Sequence, residues 1–286
     1  MMDYEKISFK EALEMLANRA GISLPKYNQN ISENKDDNDF RILKINEFTA
    51  NFFYNALFTN QATEARNYLI KRNISEDMWH KFRIGYAESN NALYTQLKDQ
   101  NFSDKELSDS GIFSNNYRPK LSNRVIIPII NSKQRYVGFG GRTLTKSADT
   151  PKYINSPETS VFKKRELLFG ENFINKNLNS VIVTEGYFDV ISMFDKGFEN
   201  IVAPLGTAIS EAQIMKLWKY AKEPILAMDG DAAGLHSMYA AIERTLPLLD
   251  DSGKTINFIK LPENEDLDSL VNTNKNTLEK LISAPI

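Results

Sequence analysis

The chain has 286 residues, 42% of them hydrophobic and 25% charged, so it is long enough to bury a sizeable core and to form two domains. It contains no cysteine and two histidines, which excludes disulfides, thiolate sites and histidine-rich zinc sites and leaves oxygen ligands for any magnesium, manganese or calcium ion. The net charge is -2, and the lack of a signal-peptide pattern and of any apolar run of about 18 residues predicts a soluble cytoplasmic protein without membrane contact.

Charge is unevenly distributed along the chain. From residue 117 to residue 170 there are eleven basic and three acidic residues, whereas from residue 171 to the end there are seventeen acidic and ten basic residues. This arrangement favours an enzyme that grips a polyanion with one region and concentrates metal ions with the next.

The first half of the chain is predicted to be helical with one hairpin. Residues 7–20 have apolar residues at helical spacing, and the polar stretch 26–39 is typical of a linker. Further patterns indicate helices over residues 42–57, 63–71, 75–82 and 103–108. Two β-rich runs, 125–130 and 136–139, predict a hairpin.

The second half alternates apolar runs with helical patterns. The predicted strands cover residues 181–183, 201–203, 225–228 and 256–259, and a helix is expected after each. Such a series predicts a mostly parallel sheet covered on both faces. The fold class is therefore α/β, with an α+β subdomain in front of the parallel sheet. The expected layout is a residual helix and linker over residues 1–39, a basic subdomain over 40–170 and the parallel domain over 171–286.

Acidic residues follow three of the predicted strands. Glu185 follows the first strand, Asp229 and Asp231 follow the third, and Asp266 and Asp268 follow the fourth. Because ligands of parallel sheets bind beyond the carboxyl ends of the strands, these carboxylates are expected to converge. Gathered carboxylates repel one another unless a proton or a cation lies between them, and Mg²⁺ prefers oxygen ligands.

Each acidic motif also has a purely structural interpretation. Asp229-Gly230-Asp231 fits a turn with a helix cap, and Asp266-Leu267-Asp268 fits a helix start, because Asp is a favoured cap. The pair Glu185-Gly186 by itself is only a weak indication of a functional site. The order of all three motifs at successive strand ends favours a shared site.

These motifs resemble a known family. The segments VIVTEGYFDV at 181–190, AMDGDAAG at 227–234 and LPENEDLDSLV at 261–271 resemble the Rossmann-like TOPRIM domain of bacterial DnaG-type primases. The strand at 124–129, VGFGGRTL at 137–144 and TPKYINSPET at 150–159 resemble the segment that precedes TOPRIM in primases specifically. Residues 68–72 and 84–87 also fit, so the resemblance covers nearly the whole chain from Phe40.

The resemblance implies which residues form the site. The acidic metal cluster of the family corresponds in this chain to Glu185, Asp189, Asp229, Asp231, Asp266 and Asp268, with Mg²⁺ or Mn²⁺ as the bound ion. Glu185, Asp229 and Asp231 are the expected catalytic residues, and Glu185 is either a ligand or the general base. Its positions for nucleotide, primer or template correspond to Arg72, Arg142, Lys152, Asn155 and Lys164.

The implied activity is synthesis of RNA primers on a single-stranded DNA template from ribonucleoside triphosphates during replication, in the bacterial cytoplasm at the fork. Leu121 and Ser122 depart from the family, which has an aromatic residue and an arginine there, and Asn73 replaces a common glycine. The family's zinc-binding domain is absent, although residues 1–22 resemble its final helix. The domain that contacts the replicative helicase is also absent, so the sequence is interpreted as a fragment of a longer protein.

Two other functions remain open at this stage. One is another TOPRIM enzyme, such as a nuclease, because the acidic motifs alone do not fix the reaction. The other is a catalytically weak fragment that binds single-stranded DNA.

Overall fold

The fold is described from a computed structural model, in which residues 29–145, 149–175, 180–206, 208–263 and 265–285 are described, with side chains from residue 36 onward. The chain divides into two compact units, Met1–Asn38 and Asp39–Ile286. The helix predicted over residues 7–20 lies outside the described residues.

The first part of the described chain is mainly helical, with one short strand between its third and fourth helices. The helices are α1 Gln29–Leu57, α2 Thr63–Lys71, α3 Glu76–Lys81, α4 Ala92–Asp99 and α5 Asp104–Asp109. Ser103 begins α5 with a reciprocal cap, because its side chain accepts from the Glu106 N–H while the Glu106 carboxylate accepts from the Ser103 N–H. The helix α4 was not predicted from the sequence.

The expectation of a linker was wrong for residues 29–39, which form the start of α1. This stretch contains neither proline nor glycine. Once the apolar part of α1 is packed, each further polar residue adds a backbone hydrogen bond without a new nucleation cost. Polarity alone therefore does not end the helix.

The first sheet is antiparallel, with strand order β1-β2-β3-β4. Its strands are β1 Gly85–Ala87, β2 Arg124–Ile130, β3 Tyr136–Thr143 and β4 Tyr153–Asn155. The predicted hairpin is confirmed as β2 and β3, and β3 continues to Thr143, beyond the predicted end. The short strands β1 and β4, which pair with its two sides, were not predicted.

The second sheet is parallel throughout, with strand order β6-β5-β7-β8. Its strands are β5 Ile182–Val183, β6 Ile201–Val202, β7 Ile225–Met228 and β8 Asn257–Lys260. The helices between and after them are α6 Tyr187–Asp195, α7 Glu211–Leu217, α8 Ala232–Thr245, α9 Leu267–Thr273 and α10 Lys275–Ser283. The predicted fold class is confirmed.

One of three buried hydrophobic clusters in the described part of the chain joins the two sheet regions. A single cluster of buried side chains contains Trp79, Phe82 and Ile127 from the first part together with Tyr187 and Ile191 from the second. At the contact, a Cβ on Gly140 of β3 would lie 2.8 Å from the Tyr187 ring, so only glycine allows this approach. Packing of this kind fixes the side chains of the first part against the loops of the parallel sheet.

Candidate functional site

Three loops at the carboxyl end of the parallel sheet carry the predicted acidic residues. Glu185 follows β5, Asp229 follows β7 and Asp266 follows β8, and these three strands are neighbours. Glu185 Oε1 accepts a hydrogen bond of 3.1 Å from the Asp229 backbone N–H, which joins the first loop to the second. We define the acidic cluster as the carboxylates on and beside these loops: Glu185, Asp189, Asp229, Asp231, Asp266 and Asp268.

Three further members of the acidic cluster also accept hydrogen bonds from backbone N–H groups. Asp231 Oδ1 accepts from the Gly234 N–H at 2.8 Å, Asp266 Oδ1 accepts from the Ser269 N–H at 2.6 Å, and Asp189 Oδ2 accepts from the Gly186 N–H at 2.9 Å. Asp231 and Asp266 are the caps of α8 and α9. The structural interpretation of these motifs is therefore correct, and it also fixes where the carboxylates point.

The carboxylates disfavour one another's ionised forms. Burial, and then Asp229, Asp266 and Asp268, raises the pKa of Asp189 to about 8. Burial, and then Glu185 and Asp266, raises the pKa of Asp229 to about 7. The pKa of Glu185 is raised as well, mainly by burial. A cation in such a place would relieve both the desolvation and the repulsion.

One atom of the acidic cluster is buried without a partner. Asp229 Oδ1 is inaccessible to solvent and has no hydrogen bond to any described residue. Within the part of the chain that the structure describes, no group of three or more acidic, histidine or cysteine side chains stands together as a ready-made metal site. Mg²⁺ is usually held by one or two carboxylates together with water and substrate phosphate, which this loose arrangement suits. The residues therefore fit a magnesium-type ion.

Asp268 differs from the other carboxylates because a cation of the chain itself neutralises it. Arg72 Nη1 donates to Asp268 Oδ2 at 2.5 Å, and the Ser192 hydroxyl donates to the other carboxylate oxygen. Asn272 Nδ2 adds a contact of 3.3 Å to that second oxygen. Arg72 follows α2, so this ion pair joins the helical part of the chain to the loop after β8.

The arginines near Asp268 lie against aromatic rings. The Arg72 guanidinium lies 4.6 Å from the Phe188 ring centroid and donates through Nε to the Tyr68 hydroxyl at 2.7 Å. The Arg142 guanidinium lies 4.6 Å from the Tyr68 ring centroid, and its Nε is buried without a partner among the described residues. Both side chains are thus pre-positioned cations.

Many of these groups line two clefts that share several residues. The larger, of about 810 Å³, is lined by the cations Arg72, Arg142 and Lys152 and by the carboxylates Asp266 and Asp268. The smaller, of about 290 Å³, shares Arg72, Lys152 and Asp266 and reaches Glu185, Asp189 and Asp229. Five of the six carboxylates of the acidic cluster therefore face the same space as three predicted phosphate-binding side chains, whereas Asp231 lines neither cleft.

Two other predicted residues are placed differently. Asn155 Nδ2 donates to the Leu205 carbonyl at 3.2 Å, and its oxygen accepts from the Tyr187 hydroxyl, so it supports the loop after β6. Lys164 lies in a short 3-10 turn, where its N–H donates to the Glu158 carboxylate at 2.9 Å. Neither residue lines the two clefts described above.

Sequence reasoning missed the aromatic residues around the arginines. Tyr68, Tyr153 and Phe188, which we call the aromatic trio, all lie within the segments that carry the family resemblance, but the sequence assigns no role to them. The one local signal is that Tyr68 precedes Arg72 by four residues, a spacing that brings two side chains together at the end of a helix.

The chain is similar to known protein families and solved structures. Residues 52–175 match the N-terminal domain of the DNA primase catalytic core, and residues 179–260 match the Toprim domain. A DnaG primase catalytic domain solved with single-stranded DNA is 32% identical, superposes with a TM-score of 0.78, and is covered over 80% of its length by 88% of this chain. The chain belongs to the DnaG primase family.

Other members of the DnaG primase family show how much of a primase the chain represents. The DNA primase of Rickettsia bellii is 38% identical over 275 residues, which are 94% of this chain and 45% of that protein. The Aquifex aeolicus primase, solved with its zinc-binding and RNA polymerase domains, is 34% identical with a TM-score of 0.78, and the match covers 100% of this chain and 69% of that one. The chain thus spans about half the length of the curated relative.

Membership of this family also bears on metal binding. A Toprim domain generally binds a divalent metal ion, in agreement with an oxygen-only ligand set.

None of the helices in the described part of the chain has the length and apolar character needed to cross a bilayer.

Proposed function

We propose that the chain synthesises short RNA primers on single-stranded DNA during replication, by metal-dependent nucleotidyl transfer from ribonucleoside triphosphates. One observation carries the proposal: every member of the acidic cluster except Asp231 lines the same pair of clefts as the predicted phosphate-binding cations Arg72, Arg142 and Lys152. Metal-assisted phosphoryl chemistry needs this combination, because the ions and the cations must meet on one triphosphate.

The acidic cluster would hold Mg²⁺ or Mn²⁺. Asp229, Asp231 and Asp266 are the proposed principal ligands, supported by the unpartnered Asp229 Oδ1. Asp189 and Asp268 are proposed to lie nearer the metal ions of the triphosphate. When bound, the ions orient the triphosphate and neutralise charge on the leaving oxygens. Glu185 is either a further ligand or the group that takes the proton of the primer 3′-hydroxyl as that oxygen attacks the α-phosphate and pyrophosphate leaves.

The cations would bind the phosphates. Arg142 lines the larger cleft and Lys152 is exposed beside it, so both are available to a polyanion. Arg72 is paired with Asp268, so we infer that it exchanges this carboxylate for a phosphate when a nucleotide arrives. Asn155 supports the loop after β6 beside these groups, whereas Lys164 is proposed only as a contact for primer or template farther along.

The partners follow from the activity. They are a single-stranded DNA template, supported by the related catalytic domain solved with single-stranded DNA, an RNA primer and ribonucleoside triphosphates. In longer relatives, zinc belongs to a separate zinc-binding domain, such as the one solved with the Aquifex aeolicus protein. We place the activity at the replication fork in the cytoplasm, with the replicative helicase contacted through a further domain.

Incubation of the chain with a labelled primed template and Mg²⁺, with and without ribonucleotides, tests the proposal. We expect slow extension that requires both ribonucleotides and Mg²⁺, and greater stimulation by a preformed primer than by additional nucleotide. Cleavage of the strand without ribonucleotides would instead indicate a nuclease. Binding of single-stranded DNA with neither reaction would leave a non-catalytic binding module.

A further inference from the structure

The aromatic trio lies between the helical region, the antiparallel sheet and the parallel sheet. Tyr68 is on α2, Tyr153 on β4 and Phe188 on α6. The Tyr68 and Phe188 rings meet edge to face with centroids 5.8 Å apart, and Tyr153 lies 6.2 Å from Phe188. Three separate elements thus contribute rings to one small region beside the clefts.

Tyr68 contacts both arginines of the larger cleft. Its hydroxyl accepts a hydrogen bond of 2.7 Å from Arg72 Nε, and the Arg72 guanidinium lies 5.6 Å from its ring centroid. The Arg142 guanidinium lies 4.6 Å from the same centroid. A ring face carries negative partial charge, so it holds two guanidinium groups near each other that would otherwise repel.

The hydroxyl of Tyr68 determines how Arg72 is oriented. With Nε engaged by Tyr68 and Nη1 engaged by Asp268, the planar guanidinium has two anchors and a fixed plane against Phe188. Arginine binds phosphate through paired, coplanar N–H groups, so a fixed plane lowers the entropy lost when a phosphate replaces Asp268.

We propose that Tyr68 is a positioning residue for the nucleotide triphosphate, setting the planes of Arg72 and Arg142 so that both guanidiniums bind one phosphate chain. This inference rests on the proposed function and adds to it a residue that touches no reacting atom. A residue that only filled space here would need the ring and not the hydroxyl. The change Tyr68→Phe therefore separates the two roles.

The test measures binding of inorganic tripolyphosphate to the chain in Mg²⁺ by calorimetry, together with KM and kcat for primer extension. Tyr68→Phe should weaken tripolyphosphate binding about tenfold, because a hydrogen bond to a charged group is lost. KM for the ribonucleotide should rise with kcat nearly unchanged, as expected when ground-state and transition-state binding fall together. Tyr68→Ala, which also removes the ring beside Arg142, should weaken binding further.

Tyr94→Phe is the matched control. The Tyr94 hydroxyl also makes a hydrogen bond, of 2.8 Å to Asp104, and its ring also packs against a phenylalanine, but it lines neither cleft. This variant should bind tripolyphosphate like the unaltered chain. Thermal midpoints of all variants show whether any loss reflects unfolding.

The outcomes separate the inference from the proposed function. Equal tripolyphosphate affinity and equal KM for the unaltered chain and Tyr68→Phe would overturn the positioning role and leave primer synthesis intact. A loss of kcat with KM unchanged would also overturn it. An unaltered chain that neither binds tripolyphosphate nor extends a primer would overturn both.

Discussion

The site has an acidic side, which is the acidic cluster, and a cationic side, which is Arg72, Arg142 and Lys152. The two are held in place by different kinds of contact. On the acidic side, Asp189, Asp231 and Asp266 each accept from a backbone N–H three residues away along the chain. On the cationic side, Arg72 reaches Asp268, which is 196 residues distant in sequence. The acidic side is therefore defined by local loop geometry, whereas the cationic side exists only when the first part of the chain is packed onto the parallel sheet.

This difference separates two kinds of mutational effect. A change on the acidic side alters charge without altering the loop, provided that the new residue still caps the helix. A change on the cationic side alters both the ion pair and the contact between regions. The following predictions use this difference, beginning with the largest effect.

Asp231→Asn should abolish primer extension while the fold stays intact. Asn is as good a helix cap as Asp, so α8 should keep its start, but the negative charge needed by a metal ion is gone. Activity on a primed template with Mg²⁺ should fall at least about a hundredfold. The thermal midpoint without metal should stay level or rise, because repulsion within the acidic cluster is reduced.

Asp251→Asn is the control for that experiment, since Asp251 is an exposed acidic residue that lines neither cleft. It should extend primers normally. Equal extension by Asp231→Asn and the unaltered chain at saturating Mg²⁺ would assign Asp231 to helix capping alone.

Arg72→Gln should change metal and nucleotide affinities in opposite directions. The substitution removes the positive charge that neutralises Asp268, so Mn²⁺ should bind the nucleotide-free chain more tightly, by several-fold. The same change removes a phosphate-binding guanidinium, so nucleotide affinity should fall about tenfold. Paramagnetic resonance titration of Mn²⁺ and calorimetry with a ribonucleotide measure the two effects.

A parallel experiment with Arg83→Gln gives the comparison, because Arg83 stacks on Tyr54 and lines neither cleft. Weaker Mn²⁺ binding by Arg72→Gln would contradict the exchange of Asp268 between arginine and metal.

The double change Arg142→Ala with Lys152→Ala should weaken single-stranded DNA binding several-fold. Both residues line the larger cleft, and neither makes an ion pair among the described residues. Binding through phosphates releases counterions, so the logarithm of the affinity should fall less steeply with the logarithm of the salt concentration. The decrease in slope should correspond to the loss of roughly one to two phosphate contacts. Titrations at two ionic strengths that match the unaltered chain would show that both side chains are merely solvated.

The acidic side was predictable because the position of each carboxylate follows from the strand that directly precedes it in the sequence. A parallel strand followed by a loop and a helix places its carboxyl-end residues at a known edge, so the sequence alone is enough to group Glu185, Asp229 and Asp266. The neighbouring order of β5, β7 and β8 then brings their loops side by side.

The cationic side was only partly predictable because its geometry depends on distant packing. The resemblance selected Arg72, Arg142 and Lys152, which do line the larger cleft. It could not show that Arg72 pairs with Asp268, or that Asn155 supports a loop through Leu205. The short strand β4 escaped prediction for the same reason, since three residues gain a partner only through β3.

The smallest predicted effect is a dependence of stability on pH in the metal-free chain. In the folded chain the pKa of Asp189 is raised to about 8 and that of Asp229 to about 7, in both cases first by burial and then by neighbouring carboxylates. In the unfolded chain both groups return to about 3.9. Between these limits the folded chain binds more protons than the unfolded chain, so its stability must rise as the pH falls.

The expected course is therefore a thermal midpoint that increases as the pH is lowered from about 8 toward about 5 without metal, opposite to the usual behaviour of paired carboxylates. Solvent screening reduces the effect, and we expect a gain of about 1 kcal/mol in the free energy of unfolding, or about 2 to 4 °C. Asp229→Asn removes one of the titrating groups and should flatten the slope, whereas Asp251→Asn should leave it unchanged. Saturating Mg²⁺ should also flatten it, because the cation takes the place of the protons. A midpoint that falls over the same pH range would mean that the carboxylates of the folded chain are not crowded, and the acidic side would then lose its main electrostatic argument for a metal ion.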